Sequence, residues 1–260
     1  MDIATILGLL VAAGAILLGL ILEGGKVGQI LQPTAALIVF GGTLGAILVQ
    51  FPIGLVFSAL RSLVTIFVVP KSDPHGMIQE ILTLAYKARR EGIVSLDSDL
   101  EGIQDPILKK ALMLAVDGTE PGELRKMMEL EMEKRGQHED EIPKVFESAG
   151  GFSPTIGIIG AILGLIQVMQ HLDNIDEVGR GIAVAFVATV YGVGAANLLL
   201  LPAAGKLRIR IGEEQIIREM MLEGVVSIME GMNPRMIETK LDSFLAETPP
   251  NEKEREQVGV

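Results

Sequence analysis

Residues 181–204 of this chain read GIAVAFVATVYGVGAANLLLLPAA and contain no Asp, Glu, Lys, Arg or His. A helix needs about 20 such residues to cross the hydrocarbon core of a bilayer, because each residue advances it by about 1.5 Å. Three further stretches also lack ionisable side chains, at 3–22, 34–51 and 155–170. We therefore predict an all-α polytopic membrane protein with four transmembrane helices.

The absence of ionisable side chains from all four stretches has a functional consequence. A charged group at the bilayer centre is unfavourable by about 2.5–3.5 kcal/mol, and the groups that are found there usually have a function. This chain carries no carboxylate in its spans, so it has no ion carrier of its own inside the membrane. If it conducts ions, a partner must supply the carboxylate.

The composition excludes several other functions. The 260 residues carry a net charge of -11 and no cysteine, with a mean hydropathy of +0.44. An acidic chain is unsuited to binding nucleic acid, and cysteine-based metal or thiol chemistry is impossible. His75, His138 and His171 lack metal-ligand spacing, and no nucleotide-binding or protease motif occurs. We predict no enzymatic activity, no cofactor, no metal site and no nucleic-acid partner.

The spans form two hairpins whose turns are short, at 23–33 and 171–180. These turns contain only Lys26 and Arg180 as basic residues, whereas the long segments at 70–150 and beyond 205 hold many Lys and Arg. The positive-inside rule places the basic segments in the cytoplasm, so both termini are predicted to be cytoplasmic. No basic residue precedes the first span, which we predict to be an uncleaved helix and not a signal peptide.

Five regions follow from this pattern. After Pro52 the apolar run continues but contains Ser58 and Arg61, which favours an amphipathic helix in the membrane interface over a longer span. The predicted regions are a first transmembrane hairpin (1–52), an interfacial amphipathic helix (53–69), a cytoplasmic helical domain (70–152), a second transmembrane hairpin (153–204) and a cytoplasmic helical tail (205–260).

Helix-start signals recur in the cytoplasmic regions, where we find no strand-like alternation. An acidic or hydroxyl residue followed by Pro suits the N-cap and first helical position. Such signals occur at Asp73-Pro74, Asp105-Pro106 and Thr119-Glu120-Pro121. Gly92 is predicted to stop the first of these helices, and Asn233-Pro234 to break the tail. The end from Thr248 is rich in Pro and charge and is predicted to be disordered.

Small residues form stripes at helical spacing within the second hairpin. The third span carries Gly157, Gly160, Ala161 and Gly164, and the fourth carries Ala185, Ala188, Thr189, Gly192, Ala195 and Ala196. Small residues allow two helices to approach closely. The stripes are compatible with packing inside one chain or with a surface for a partner helix, and the sequence leaves both open.

Five blocks of sequence carry a resemblance to a known family. They are LIVFGGTLGAILVQFP (37–52), YKARREGIVSLDSDL (86–100), SPTIGIIGAILGLIQVM (153–169), FVATVYGVGAANLLLLP (186–202) and GMNPRMIETKLDSFL (231–245). In this order and with this topology, they resemble the MotA-type flagellar stator subunits of the MotA/TolQ/ExbB proton-channel family. The likeness covers nearly the whole chain.

The resemblance implies an ion-conducting stator subunit in the bacterial inner membrane, at the flagellar basal body. Such subunits form a homo-oligomeric ring, understood to be a pentamer and surrounded by membrane lipid. The ring encloses the single spans of two MotB-like partners, and an Asp on the partner span binds the ion. Ion flow then produces torque on the rotor protein FliG. Two alternatives stay open: a TolQ- or ExbB-like energiser of envelope transport, and a purely structural membrane scaffold.

The family also implies roles for residues of the second hairpin. Thr189 and Ala161 lie along the ion pathway, and Pro154 and Pro202 are the coupling prolines. From residue types alone, Pro154 would simply open a helix and Pro202 would simply end one. Sodium-driven members of the family carry Thr at the position of Ala161 and Asp at the position of Gln32. Their absence here predicts proton coupling, because a sodium ion needs several oxygen ligands.

In the cytoplasmic domain the family implies that Arg89, Arg90 and Asp97 contact the rotor. Asp97 stands where the family usually has glutamate, which shortens the side chain and keeps its charge. The alternative is that these three residues form an ordinary solvated face, which is common for surface charges.

Overall fold

The computed structural model describes residues 2–68 and 73–246, and within these ranges it contains helices and turns but no strand. Four helical stretches are long and apolar enough to cross a membrane: Ile3–Leu22, Val27–Gln50, Pro121–Gln170 and Ile175–Met229. The predicted all-α class with four spans is confirmed. The chain folds as two units, one formed by Met1–Pro70 and His138–Ile209 and the other by Lys71–Gln137 and Arg210–Val260.

The first unit contains the apolar helices. Its elements are α1 (Ile3–Leu22), a 3₁₀ turn (Val27–Ile30), α2 (Pro33–Ala36), a π-helical turn (Leu37–Gly41), α3 (Gly42–Gln50), α4 (Ile53–Thr65), α8 (Glu141–Gln170), α9 (Ile175–Ala195), a second π-helical turn (Ala196–Leu200) and the start of α10 (Leu201–Met229). The remaining helices belong to the second unit, where α10 also ends.

Asp2 caps the first span and connects it to α10. Its Oδ1 accepts a hydrogen bond from the backbone N–H of Thr5 at 3.2 Å, as expected of an N-cap. Lys206 donates hydrogen bonds to Oδ2 of Asp2 and to Oγ1 of Thr5. The bond from Lys206 lowers the pKa of the Asp2 carboxyl to about 2, so Asp2 is ionised at physiological pH.

The helix predicted after Pro52 is present as α4. It buries Leu55, Val56 and Ala59 in a cluster that also contains Phe146 of α8 and Ala204 of α10. Burial of one apolar face against the chain is the behaviour of an amphipathic helix. Its location in the membrane interface stays a prediction.

The second turn is shorter than the predicted 171–180. Helix α9 already begins at Ile175, because Oδ1 of Asn174 accepts hydrogen bonds from the backbone N–H groups of Asp176 and Glu177. Acidic residues in a first helical turn also interact favourably with the helix dipole. Charged residues of the predicted turn therefore form the first turns of α9, and the start of the apolar span near residue 181 stays a prediction.

The second unit contains α5 (Pro74–Glu91), a 3₁₀ turn (Ile93–Asp99), α6 (Pro106–Val116), α7 (Pro121–Glu139), the end of α10 and α11 (Pro234–Ala246). Asp73 and Asp105 cap α5 and α6 through hydrogen bonds to backbone N–H groups. Gly92, with φ of 86°, ends α5. The predicted helix boundaries are therefore confirmed, whereas the tail from Thr248 lies outside the described residues.

A half-buried carboxylate links three helices of this unit. Glu223 of α10 accepts a hydrogen bond from Arg125 of α7 at 2.7 Å and pairs with Lys240 of α11. Burial opposes ionisation of Glu223, but the hydrogen bonds from Lys240 and Arg125 outweigh it, and the pKa of Glu223 is lowered. The same unit contains an apolar core that includes Ile81, Leu108, Leu112, Leu124, Met128, Val225 and Leu241.

Candidate functional site

The seam between α8 and α9 is built from glycine and alanine. A Cβ on Gly157 would lie 2.8 Å from the carbonyl oxygen of Ala188, and one on Gly164 would lie 2.7 Å from that of Gly181. Such distances are below van der Waals contact, so only glycine fits at these positions. The small-residue stripes therefore pack against each other within the chain, which is one of the two interpretations that the sequence left open.

Thr189 and Ala161, the predicted ion-pathway residues, are both half-buried on the two helices of this seam. The Cα of Thr189 lies 3.4 Å from the point that a Cβ on Gly157 would occupy, and Ala161 is one helical turn further along α8. The Thr189 hydroxyl donates to the carbonyl of Ala185 at 3.2 Å. Its oxygen lone pairs stay available as acceptors, and the position has no charge of its own.

The two predicted coupling prolines both lie inside helical structure. Pro154 is in the interior of α8, which begins at Glu141, and Pro202 follows the π-helical turn and precedes most of α10. The alternatives that Pro154 opens a helix and that Pro202 ends one are therefore wrong. Because proline lacks an N–H, each leaves the carbonyl four residues earlier without its usual donor. The π-helical turn at Ala196–Leu200 contains the carbonyl four residues before Pro202, which lacks its usual donor.

Tyr191 is a contact that the sequence analysis missed. Its hydroxyl donates to the carbonyl of Ile30 at 2.5 Å and accepts from the N–H of Gln32 at 3.3 Å. The ring stacks on Phe40 with centroids 5.9 Å apart. Tyr191 thus fixes the turn of the first hairpin against α9, two residues from Thr189. A tyrosine in an otherwise apolar stretch was the available signal.

The predicted rotor-contact residues lie at the end of α5 and in the 3₁₀ turn beyond it. Arg89 and Arg90 occupy the last turn of α5, Asp97 is in the 3₁₀ turn, and all three side chains are exposed. The guanidinium of Arg90 lies 3.8 Å from Oε1 of Glu91. Within the described ranges, neither Arg89 nor Asp97 forms an ion pair. Both are therefore available to another molecule.

Lys87 positions this group and was also missed. Its ammonium lies 2.9 Å from Oγ of Ser98 and 2.7 Å from Oδ2 of Asp99. Leu96 is completely buried beneath the same turn. These contacts hold the 3₁₀ turn, and with it Asp97, next to the end of α5. The sequence signal was weak because Lys87 is one of several charges in the block.

A large apolar surface of the second hairpin is not covered by the chain. On α8 the exposed large apolar side chains are Ile158, Ile159, Ile162, Leu163, Leu165, Ile166 and Met169, and on α9 they are Ile175, Ile182, Phe186, Val190 and Val193. A soluble monomer rarely exposes an apolar surface of this extent. Lipid or other protein spans must cover it.

Comparison with known proteins identifies relatives over nearly the full length. Residues 99–220 match the family described as "MotA/TolQ/ExbB proton channel family" and residues 6–92 match "Motility protein A N-terminal". The chain is 35% identical to "Motility protein A" of Bacillus subtilis (strain 168), over 94% of this chain and 91% of that protein. It is 30% identical to "Chemotaxis protein PomA" of Vibrio alginolyticus, over 95% and 96%.

Two solved structures are similar in fold. The C. jejuni MotAB structure matches with a TM-score of 0.90 and 32% identity, over 96% of this chain and 98% of that chain. The flagellar MotAB stator complex from Bacillus subtilis matches with a TM-score of 0.85 and 34% identity, over 98% of both chains. Identity and coverage of this size extend the likeness beyond a shared fold.

Proposed function

Since this chain belongs to the MotA/TolQ/ExbB proton channel family, we propose that it assembles with a MotB-like single-span partner into a stator that couples proton flow to torque. Its role as a flagellar stator subunit, a non-enzymatic class of protein, was predicted from the sequence and is confirmed by the family and its named relatives.

The observation that carries the proposal is the lack of any carboxylate in the four apolar stretches at 3–22, 34–51, 155–170 and 181–204. The α8–α9 seam contributes the hydroxyls of Thr189 and Ser153, small apolar side chains and no carboxylate. A proton cannot be held there at neutral pH without an acidic group. We assign that group to an Asp on the partner's span, with Thr189 and Ala161 lining the path beside it.

The exposed apolar faces of α8 and α9 support a ring. Two MotAB complexes are among the similar structures, and a ring of identical subunits gives each chain two neighbours. We propose a pentamer that encloses two partner spans, with membrane lipid around the outside. The excess of Lys and Arg in the long segments supports an inner-membrane location with both termini in the cytoplasm.

The exposed charges of the second unit support contact with the rotor protein FliG. Arg89 and Asp97 have no ion-pair partner within the described ranges, and Arg90 lies beside them. Charged side chains at a transient, solvated interface mainly set encounter and register. We assign the rotor contact to these three residues.

The prolines support a moving membrane helix. Pro154 and Pro202 each remove one backbone hydrogen bond from a long helix near the membrane boundary, which lowers the energy needed to bend it there. We propose that both act as coupling hinges. Pro154→Leu is expected to give normal expression and a slow or stalled motor.

The test is co-expression in a flagellated host that lacks its own stators. The chain and the single-span protein encoded beside it should co-purify and restore swimming, and Asp→Asn in the partner's span should abolish swimming while co-purification persists. Restored envelope transport without restored swimming would instead identify a TolQ- or ExbB-like energiser. Swimming that persists in the Asp→Asn variant would instead identify a structural scaffold, which needs no ion-binding carboxylate.

A further inference from the structure

Ser153 has an unpaired hydroxyl inside α8. The residue is 1% exposed, and its Oγ is the only buried side-chain oxygen or nitrogen within the described ranges that has no hydrogen-bond partner. Nearby hydroxyls are paired: Thr43 donates to Val39, Thr155 to Phe152 and Thr189 to Ala185. A buried polar group without a partner is unfavourable, and in native proteins it usually has a reason.

The next residue supplies a complementary defect. Pro154 has no N–H, so the carbonyl of Gly150 lacks the donor that an α-helix normally provides. Serine hydroxyls in helices can donate to the carbonyl three or four residues earlier. Gly150 is three residues before Ser153. Within one turn, helix α8 therefore contains the unpaired Ser153 hydroxyl and the Gly150 carbonyl, which lacks its helical donor. In the described conformation these two groups are not hydrogen-bonded to each other.

Close packing by α9 holds this turn in place. A Cβ on Gly192 would lie 2.5 Å from the carbonyl oxygen of Ser153 and 3.2 Å from Cα of Pro154. A Cβ on Gly150 would lie 2.6 Å from a side-chain carbon of Leu201. The Ser153 hydroxyl therefore belongs to a closely packed turn and has no partner in the described conformation.

We propose that Ser153 is a positioning residue for a second conformation of α8, in which the helix bends at Pro154 and the Ser153 hydroxyl donates to the Gly150 carbonyl. The bond formed in the bent state offsets part of the energy of bending. In the described conformation the unpaired hydroxyl makes the helix less stable, and both effects favour the second conformation. This inference rests on the proposed function, in which α8 moves during each ion passage.

The test compares Ser153→Ala with Thr43→Val in the full complex with its partner. Thr43 is buried and already hydrogen-bonded, so Thr43→Val removes a paired hydroxyl from another helix. Ser153→Ala should slow amide hydrogen exchange at residues 155–160 about tenfold, the ratio expected for loss of one hydrogen bond and one unpaired group. It should also slow the motor at low load, and Thr43→Val should do neither.

A double-mutant cycle with Pro154→Ala separates this role from a purely structural one. Pro154→Ala restores the N–H to the Gly150 carbonyl, so Ser153→Ala should then have a clearly smaller effect on exchange, because the Gly150 carbonyl no longer needs the Ser153 hydroxyl. Equal effects of Ser153→Ala with and without Pro154, or unchanged exchange in Ser153→Ala alone, would overturn the inference. If the wild-type chain fails to restore swimming, the proposed stator function fails instead, whatever the exchange rates.

Discussion

The ammonium of Lys87 lies 2.7 Å from Oδ2 of Asp99 and joins the end of α5 to the 3₁₀ turn that follows it. The two residues are twelve positions apart, and the turn between them carries Asp97. Arg89 and Asp97 make no ion pair with each other, so their relative placement depends on this neighbouring contact and on the buried Leu96.

Replacing Lys87 tests that dependence. Lys87→Met removes the ion pair and keeps much of the apolar stem. We expect swimming speed to fall about twofold while the complex assembles normally, because partly exposed ion pairs contribute roughly 0.2–1 kcal/mol. Lys126→Met, which removes an exposed pair with Glu123 on α7, is the control. Full speed in Lys87→Met would show that the pair does not position Asp97.

Charge reversal at Arg89 tests the rotor contact directly. Arg89→Glu should impair swimming strongly and leave membrane assembly intact, because a like-charge contact disrupts interface register. A compensating reversal on the rotor should restore part of the speed. Lys109→Glu, at an exposed site on α6, should have little effect. Normal swimming of Arg89→Glu would remove this residue from the contact.

Glu223→Gln tests the ion pairs that link α7, α10 and α11. The pKa of Glu223 is lowered in the folded protein. Its contribution to stability is therefore complete above its ordinary value of 4.5 and is lost as the pH falls through the lowered value. We expect Glu223→Gln to destabilise the second unit by about 1–2 kcal/mol, a value reduced by the partial exposure of Arg125 and Lys240.

Amide hydrogen exchange of α11 in the full-length protein measures this loss. The difference between Glu223→Gln and wild type should be largest at neutral pH and should shrink as the pH falls below about 4.5. Glu213→Gln, at an exposed position on the same helix, serves as the matched control. A difference that grows on acidification would contradict the assigned ionisation state.

Substitutions at Gly192 and Gly194 of α9 test how closely α8 and α9 pack. Gly192→Ala places a Cβ 2.5 Å from the Ser153 carbonyl oxygen, whereas nothing lies within 4 Å of a Cβ on Gly194. We expect Gly192→Ala to destabilise the protein by about 1–3 kcal/mol in a thermal unfolding assay in detergent, as overpacked cores generally do. Gly194→Ala should match wild type. Equal stability of both variants would mean that α8 and α9 do not pack this closely.

The sequence predicted the spans and most helix boundaries because both depend on local chemistry. A stretch without charges specifies a span, and Asp-Pro pairs or a glycine with positive φ specify helix ends. Proline was the exception. At Pro154 and Pro202 the helical residues on both sides override the local tendency to begin or end a helix, so the local rule gave the wrong answer.

The site was only partly predictable because its contacts join distant parts of the chain. Tyr191 and Ile30 are far apart in sequence, and no periodicity indicates their hydrogen bond. The unpaired state of Ser153 also depends on the packing of α9, which a single helix does not reveal. By contrast, Arg89 and Asp97 lie in a recognisable block, and the structure leaves them exposed as a contact requires.

The most direct test of the account is the ion that drives the motor. The chain and its partner should be expressed in a host without stators, and single-motor speed measured while sodium is varied at fixed proton-motive force. With Ala161 and Thr189 offering a single hydroxyl, we predict that speed follows the proton-motive force and is unchanged by sodium. Speed that rises with external sodium and collapses without it would contradict proton coupling.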